Sequence, residues 1–164
     1  MRWRPPAASS SPYITVEGWR RLRDELEGLW PARREVVSAL SAAAAEGDRS
    51  ENAEYIYRKK QLRDMDRRIR YLQRRLDVVK PISGPPADPN RIFFGARVKV
   101  EDDTGKTAWY RIVGADEIDA SGEGISVDSP VARALLGRRV EDEVAVVVPE
   151  GERTIMILAV EYLA

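Results

Sequence analysis

Apolar residues recur at intervals of three, four and seven along two stretches of the chain. Leu22, Leu26, Leu29, Val36, Leu40 and Ala43 form one set; Tyr55, Leu62, Met65, Ile69, Leu72, Leu76 and Val79 form the other. A seam of this kind predicts a coiled coil. Two seams separated by one tight loop predict an antiparallel helical hairpin. Each arm has roughly 30 residues, a length of about 45 Å at 1.5 Å per residue. The break between them is Gly47-Asp48-Arg49-Ser50-Glu51-Asn52. Gly47 suits the left-handed backbone that ends a helix, and Ser50 or Asp48 suits the cap of the next one. Thr15, ahead of Glu17-Gly18-Trp19, reads as the cap of the first arm. Pro31 lies within that arm. A proline there removes a hydrogen bond and kinks or breaks a helix, so a short base helix ending near Trp30 is expected.

The pattern changes after Val79. Pro81 stops the second helix, and Ser83-Gly84-Pro85-Pro86-Ala87-Asp88-Pro89-Asn90 reads as a proline-stiffened linker. Arg97-Val98-Lys99-Val100-Glu101 alternates with period two, as a strand does. Trp109 to Val113 returns after the turn Asp102-Asp103-Thr104-Gly105, and Ile125-Ser126-Val127 is a third strand. Ser129-Pro130 opens a short helix that Gly137 ends. Val144 to Val148 and Arg153 to Val160 flank another turn and predict a hairpin. The expected fold class is α+β: an N-terminal antiparallel coiled-coil hairpin, then a small antiparallel sheet with one short helix. The expected division is a disordered leader 1–12, hairpin 13–80, linker 81–90 and compact domain 91–164.

Charge sharpens the picture. The 164 residues carry no formal net charge. Residues 1–90 nevertheless hold 18 Lys/Arg against 13 Asp/Glu, whereas residues 91–164 hold 9 against 14. The basic half calls for an anionic partner. Its second arm concentrates Arg58, Lys59, Lys60, Arg63, Arg67, Arg68, Arg70, Arg74 and Arg75 against only Asp64 and Asp66 nearby. Lys60, Arg63, Arg67, Arg70 and Arg74 are spaced three or four apart, so they share one helix face, read as lying next to the apolar seam. A charge run is commonly a solvated face, but such faces usually carry acidic partners at i±4. A nucleic-acid backbone would supply the missing charge. Tyr55 and Tyr57, near the loop, have rings that can stack on a base, although seam packing suits Tyr55 better.

With no Cys and no His, thiolate or imidazole zinc sites, thiol catalysis and histidine-based triads are excluded. The leader lacks the apolar core of a signal peptide, and no stretch approaches the ~20 apolar residues of a membrane span. A cytoplasmic monomer with no membrane contact is expected. Asp48 and Glu51 have two readings: an Asp three residues before a Glu at a helix start is a capping-box pattern, and two carboxylates also suit a hard cation such as Mg²⁺. That ion takes six oxygens, so a pair can only complete a site begun elsewhere. Asp128-Ser129-Pro130 is first a helix start and second an exposed contact point.

These residues also carry a resemblance. Gly47 through Tyr55, continuing through Arg58-Lys59-Lys60 and Asp66-Arg67-Arg68-Ile69-Arg70-Tyr71-Leu72, resembles the bacterial Gre transcript cleavage factors, the GreB branch more than GreA. Phe93-Phe94-Gly95-Ala96, Arg111-Ile112-Val113-Gly114 and the run from Ile125 to Leu135 are similar to that family's C-terminal domain. The resemblance covers about residues 13–163. It implies that the hairpin enters the secondary channel of a backtracked RNA polymerase, while an FK506-binding-protein-like (FKBP-like) domain docks at the channel's outer rim through Asp128, Ser129 and Pro130. Asp48 and Glu51 would help the polymerase hold an active-site Mg²⁺, the protein having no cofactor of its own. Arg58, Lys59, Lys60, Arg63, Arg67, Arg70 and Arg74 would face the nascent RNA 3′ end. The protein would then be an accessory factor, not an enzyme. A competing reading is a channel binder that regulates initiation without cleavage. A third, a proline isomerase, suffers because Phe93-Phe94 and Trp109-Tyr110 are adjacent pairs, which strands aim at opposite faces.

Overall fold

The computed structural model describes residues 10–47, 52–119 and 122–163. They divide into two compact units, one built from residues up to Gly18 and from Val79 onward, the other from Trp19–Val78.

The second unit is the hairpin. Helix α1 spans Val16–Ala44 and α2 spans Ala53–Val78. Three residue pairs bonded across the helices fix their antiparallel sense. Arg68 donates to both oxygens of Glu25 at 2.6 and 2.8 Å, Arg33 Nε donates to Asp66 Oδ1 at 2.7 Å, and Asn52 Nδ2 donates to the Ala43 carbonyl at 2.6 Å. Each expected seam residue of this unit is buried or half-buried, with Leu22, Val36, Ala43, Ile69 and Leu72 inside. Charge is used at the seam's rim. The Arg68 guanidinium holds the Glu25 carboxyl below its usual range by hydrogen bonding, against a smaller opposing effect of burial. Asp66 likewise raises Arg33.

Two expectations for the hairpin are corrected. α1 runs unbroken through Pro31. Pro31, Glu27 and Gly28 are exposed, so the carbonyl that loses its helical partner faces water, while seam packing continues on the other side. α2 is capped by Asn52, whereas Ser50 and Asp48, the expected caps, lie outside the described residues. Asn52 stands immediately before the helix, and its Oδ1 accepts from the Tyr55 N–H at 3.1 Å, the bond an N-cap side chain makes.

The first unit is a five-stranded sheet ordered β5-β4-β3-β7-β6, with β3 Arg97–Asp102, β4 Thr107–Val113, β5 Gly124–Ser126, β6 Glu143–Val148 and β7 Gly151–Glu161. All pairings are antiparallel except β4 with β5, so the sheet is mixed. Alternation puts Val98, Val100, Val144, Val146, Ile155 and Ile157 on one face, where α3 (Pro130–Leu135) covers them with Ala132 and Leu135.

A second, two-stranded sheet was not legible in the sequence. β1 (Tyr13–Thr15) pairs in parallel with β2 (Lys80–Ile82), and Ser11 N–H donates to Asp128 Oδ2 at 2.9 Å. Residues 10–12, expected within a disordered leader, are therefore tethered, whereas 1–9 lie outside the described residues. The expected hairpin limits of 13 and 80 contract to 19 and 78. The expected linker is not free chain either: Pro81 sits in β2, and Asp88 pairs with Arg139 at 2.8 Å.

Within the sheet unit β1 is tied down by Glu117, buried at 6% exposure. Its carboxylate accepts from the Thr15 N–H at 3.0 Å, the Thr15 hydroxyl and the Gly114 N–H at 2.7 Å. Thr15 Oγ1 in turn accepts from the Gly18 N–H at 3.1 Å, the cap expected of it. A methyl at Gly18 would overlap the Glu117 carboxylate. Gly18→Ala should thus destabilise the protein by about 1–2 kcal/mol in urea unfolding, although alanine is the better helix former by about 1 kcal/mol. Asn52→Ala should cost about 2 kcal/mol, for a lost cap and a lost cross-helix bond. Asp48→Ala in the same assay should leave the midpoint unchanged.

Candidate functional site

The hairpin's turn begins where α1 ends. Gly47 has φ +123, a conformation that L side chains rarely adopt. Asn52 resumes the described chain and starts α2. The expected acidic pair, Asp48 and Glu51, lies between them, outside the described residues, as does Ser50. With Asn52 in the cap position, the start of α2 requires no capping from either carboxylate. The signal for Asn52 was in the sequence: asparagine directly before an apolar-periodic run is a strong N-cap residue.

The basic residues of α2 separate into two groups. Lys60, Arg63, Arg67, Arg70 and Arg74 are all exposed. Among the described residues Lys60, Arg63, Arg70 and Arg74 form no ion pair, and Arg67 has only Asp64 at 3.8 Å. Asp66, which could have neutralised this row, is turned to Arg33 instead. The row does not lie next to the seam as expected: at 100° per residue its centre is about 160° from the seam, on the far face. That placement leaves it open to solvent along five side chains. Arg58 belongs elsewhere. It falls in the seam's own register and is held by Glu54 at 2.8 Å and Gln61 at 3.0 Å. Lys59 lies 5.8 Å from the Tyr55 ring centroid, and Tyr55 is half-buried, as seam packing requires.

The other predicted contact lies in the sheet unit. Ser129 caps α3, its Oγ accepting from the Ala132 N–H at 3.2 Å, and Pro130 occupies the first turn. Pro130 is exposed, whereas Asp128 is half-buried and engaged by Ser11. An apolar cleft of about 590 Å³ adjoins Val127, lined by Tyr13, Phe93, Phe94 and Leu136 among others. The adjacent pair Phe93-Phe94 was expected to diverge. Both rings line this cleft because they sit in the turn ahead of β3, where strand alternation does not apply. Among the described residues no group of three or more acidic side chains could hold a metal ion, and no helix is long and apolar enough to cross a membrane.

Known proteins match along nearly the whole length. Residues 12–80 fit the family described as "Transcription elongation factor, N-terminal" and residues 87–162 the one described as "Transcription elongation factor, GreA/GreB, C-term". The chain is 56% identical to transcription elongation factor GreB of Xanthomonas axonopodis pv. citri, covering 98% of this chain and 97% of that protein. It is 53% identical to GreB of Pseudomonas aeruginosa, covering 98% and 96%. A solved structure of the transcription factor Gfh1 aligns with 90% of this chain and 96% of its own at 24% identity, with a TM-score of 0.44. That score is too low to bear on the fold, which stands on the elements above. On the two family matches and the high identity over full length, the chain belongs to the GreA/GreB family of transcription elongation factors, as a GreB-type member.

Proposed function

We propose that this protein binds RNA polymerase in the cytoplasm as a monomer and stimulates the polymerase's own hydrolysis of backtracked RNA. The hairpin enters the secondary channel with its turn foremost, and the sheet unit docks at the outer rim. The observation that carries this reading is the division of labour at the turn. Gly47 and Asn52 meet the backbone's needs there, so Asp48 and Glu51 are not required for folding. Two carboxylates between Gly47 and Asn52, in a hairpin whose arms are about 40 Å long, suit delivery of charge into a deep cavity.

Carboxylate oxygens are the ligands a hard cation takes, and a Mg²⁺ held partly by the polymerase would activate a water or stabilise a leaving oxygen. Asp48 would complete its coordination, and Glu51 would assist by orienting that ion or the water. Neither residue forms a site alone, so the protein is an accessory factor. The exposed row from Lys60 to Arg74 follows the RNA behind the tip, where unpaired cations replace the counterions of phosphates. Lys59 lies close to that row and joins it; Arg58, held in the seam register, contributes from its flank. Asp128, Ser129 and Pro130, beside the aromatic cleft, form the rim contact.

Purified polymerase stalled on a defined backtracked RNA provides the test. Adding the protein should shorten the RNA from its 3′ end. Asp48→Ala should leave polymerase binding within about twofold and lower the cleavage rate by roughly 10²-fold or more, as loss of a positioned charge in a polar active site does. Equal loss of binding and cleavage would make Asp48 a docking residue only. Binding without any shortened RNA from the unaltered protein would instead support a regulator of initiation that occupies the same channel.

A further inference from the structure

The row of cations has an apolar head. Counting back from Lys60 by the same spacing reaches Ile56, which lies on the axis of the row and is 54% exposed. Its neighbour Tyr57 is 58% exposed. Lys60 is four residues from Ile56 and three from Tyr57, so it borders both. Neither side chain serves the seam, whose positions are already filled by other residues. A β-branched residue in the first turns of an open helix face also gains nothing from helix propensity. The Tyr57 ring is partly organised in advance: the Arg58 guanidinium lies 5.4 Å from its centroid, and Arg58 is itself tied to Glu54 and Gln61. An exposed ring and an aliphatic side chain therefore lie about 6 Å along the helix from its start, bordered by Lys60, which has no acidic partner among the described residues.

We propose that the Tyr57 ring is a stacking platform for one unpaired base of single-stranded RNA, with Ile56, about 100° away around the helix, beside the strand whose phosphates run along Lys60, Arg63 and Arg67. The occupant follows from the combination. An apolar partner protein would leave the four unpaired cations without counter-charge. A duplex would present phosphates but no free base face. A single strand supplies both, and stacking on aromatic side chains is how such strands are held without sequence readout. The platform lies just behind the acidic turn, so the base that it holds sets which phosphodiester reaches Asp48. Purines, with the larger ring, would be held better than pyrimidines. This inference rests on the channel reading for delivery of the RNA, and it adds the residues that fix the register of the cut.

The experiment uses stalled polymerase complexes whose extruded RNA carries 2-aminopurine, a fluorescent adenine analogue quenched by stacking, at successive positions. Asp48→Ala protein, used to keep the RNA intact, should quench the analogue at one position. The same protein carrying Tyr57→Ala and Ile56→Ala should not, whereas Tyr57→Phe should retain the quenching. In cleavage assays, Tyr57→Ala should slow the reaction about tenfold, in line with the loss of one stacked base. An abasic nucleotide at the quenched position should slow the unaltered protein by a similar factor, and the two changes together should cost no more than either. Quenching that survives the double alanine change overturns the platform, as does multiplication of the two losses. If quenching occurs but the unaltered protein shortens no RNA, the cleavage reading falls and the platform stands. If no position is quenched, the platform falls whatever the cleavage assay gives. Both residues are exposed, and alanine is a better helix former than either, so the variants retain the hairpin.

Discussion

A single buried carboxylate joins segments of the chain that are about a hundred residues apart. Glu117 lies at the end of a short 3-10 turn, and it gathers the backbone of Thr15, the hydroxyl of Thr15 and the backbone of Gly114. A carboxyl group removed from water is tolerated only when its oxygens are satisfied. Here they are satisfied by donors that would otherwise be orphans at the start of a helix and at the end of a strand. The arrangement also explains both small residues around it. Gly18 leaves room for the carboxylate, and at Gly114 a side chain would press on the Tyr13 carbonyl at 2.6 Å. The first turn of α1 is consequently built within the sheet unit, though most of the helix belongs to the hairpin.

Within the hairpin, charge is sorted by face. Ion pairs that cross between helices, Arg33 with Asp66 and Arg68 with Glu25, flank the seam and consume the acidic groups there. Exposed pairs of this kind contribute little stability, about 0–1 kcal/mol each. Their greater consequence is what they withhold: with Asp66 turned toward α1, four of the five cations on the far face of α2 have no ion pair among the described residues. A face so charged is poorly suited to packing against protein and well suited to a polyanion. The same helix thus has one side committed to the fold and one available for a ligand.

The corrections to the sequence-based expectations share a cause. Pro31 looked disruptive because a proline's cost is local, whereas its tolerance depends on which side of the helix meets water. Asp48 and Ser50 looked like caps because several residue types can cap, and only the backbone shows that Asn52 is the one placed to do so. Phe93 and Phe94 looked divergent because alternation was applied to a turn. In each case a local rule was sound, and the three-dimensional position of one residue decided whether it applied.

Sequence periodicity alone determined the two helical arms, the strands of the five-stranded sheet and the row of cations on α2, since these follow from which side chains can be buried or solvated together at 3.6- and two-residue repeats. The motifs alone pointed to the family, and the acidic pair in the turn remains a reading of the sequence. Only the tertiary structure decided that residues 10–18 belong with the sheet, that Glu117 secures them, and that Ile56 and Tyr57 are left uncovered at the head of the cation row. Those facts rest on contacts between residues far apart in the chain, or on which neighbours leave a side chain uncovered, and no short stretch of sequence encodes either.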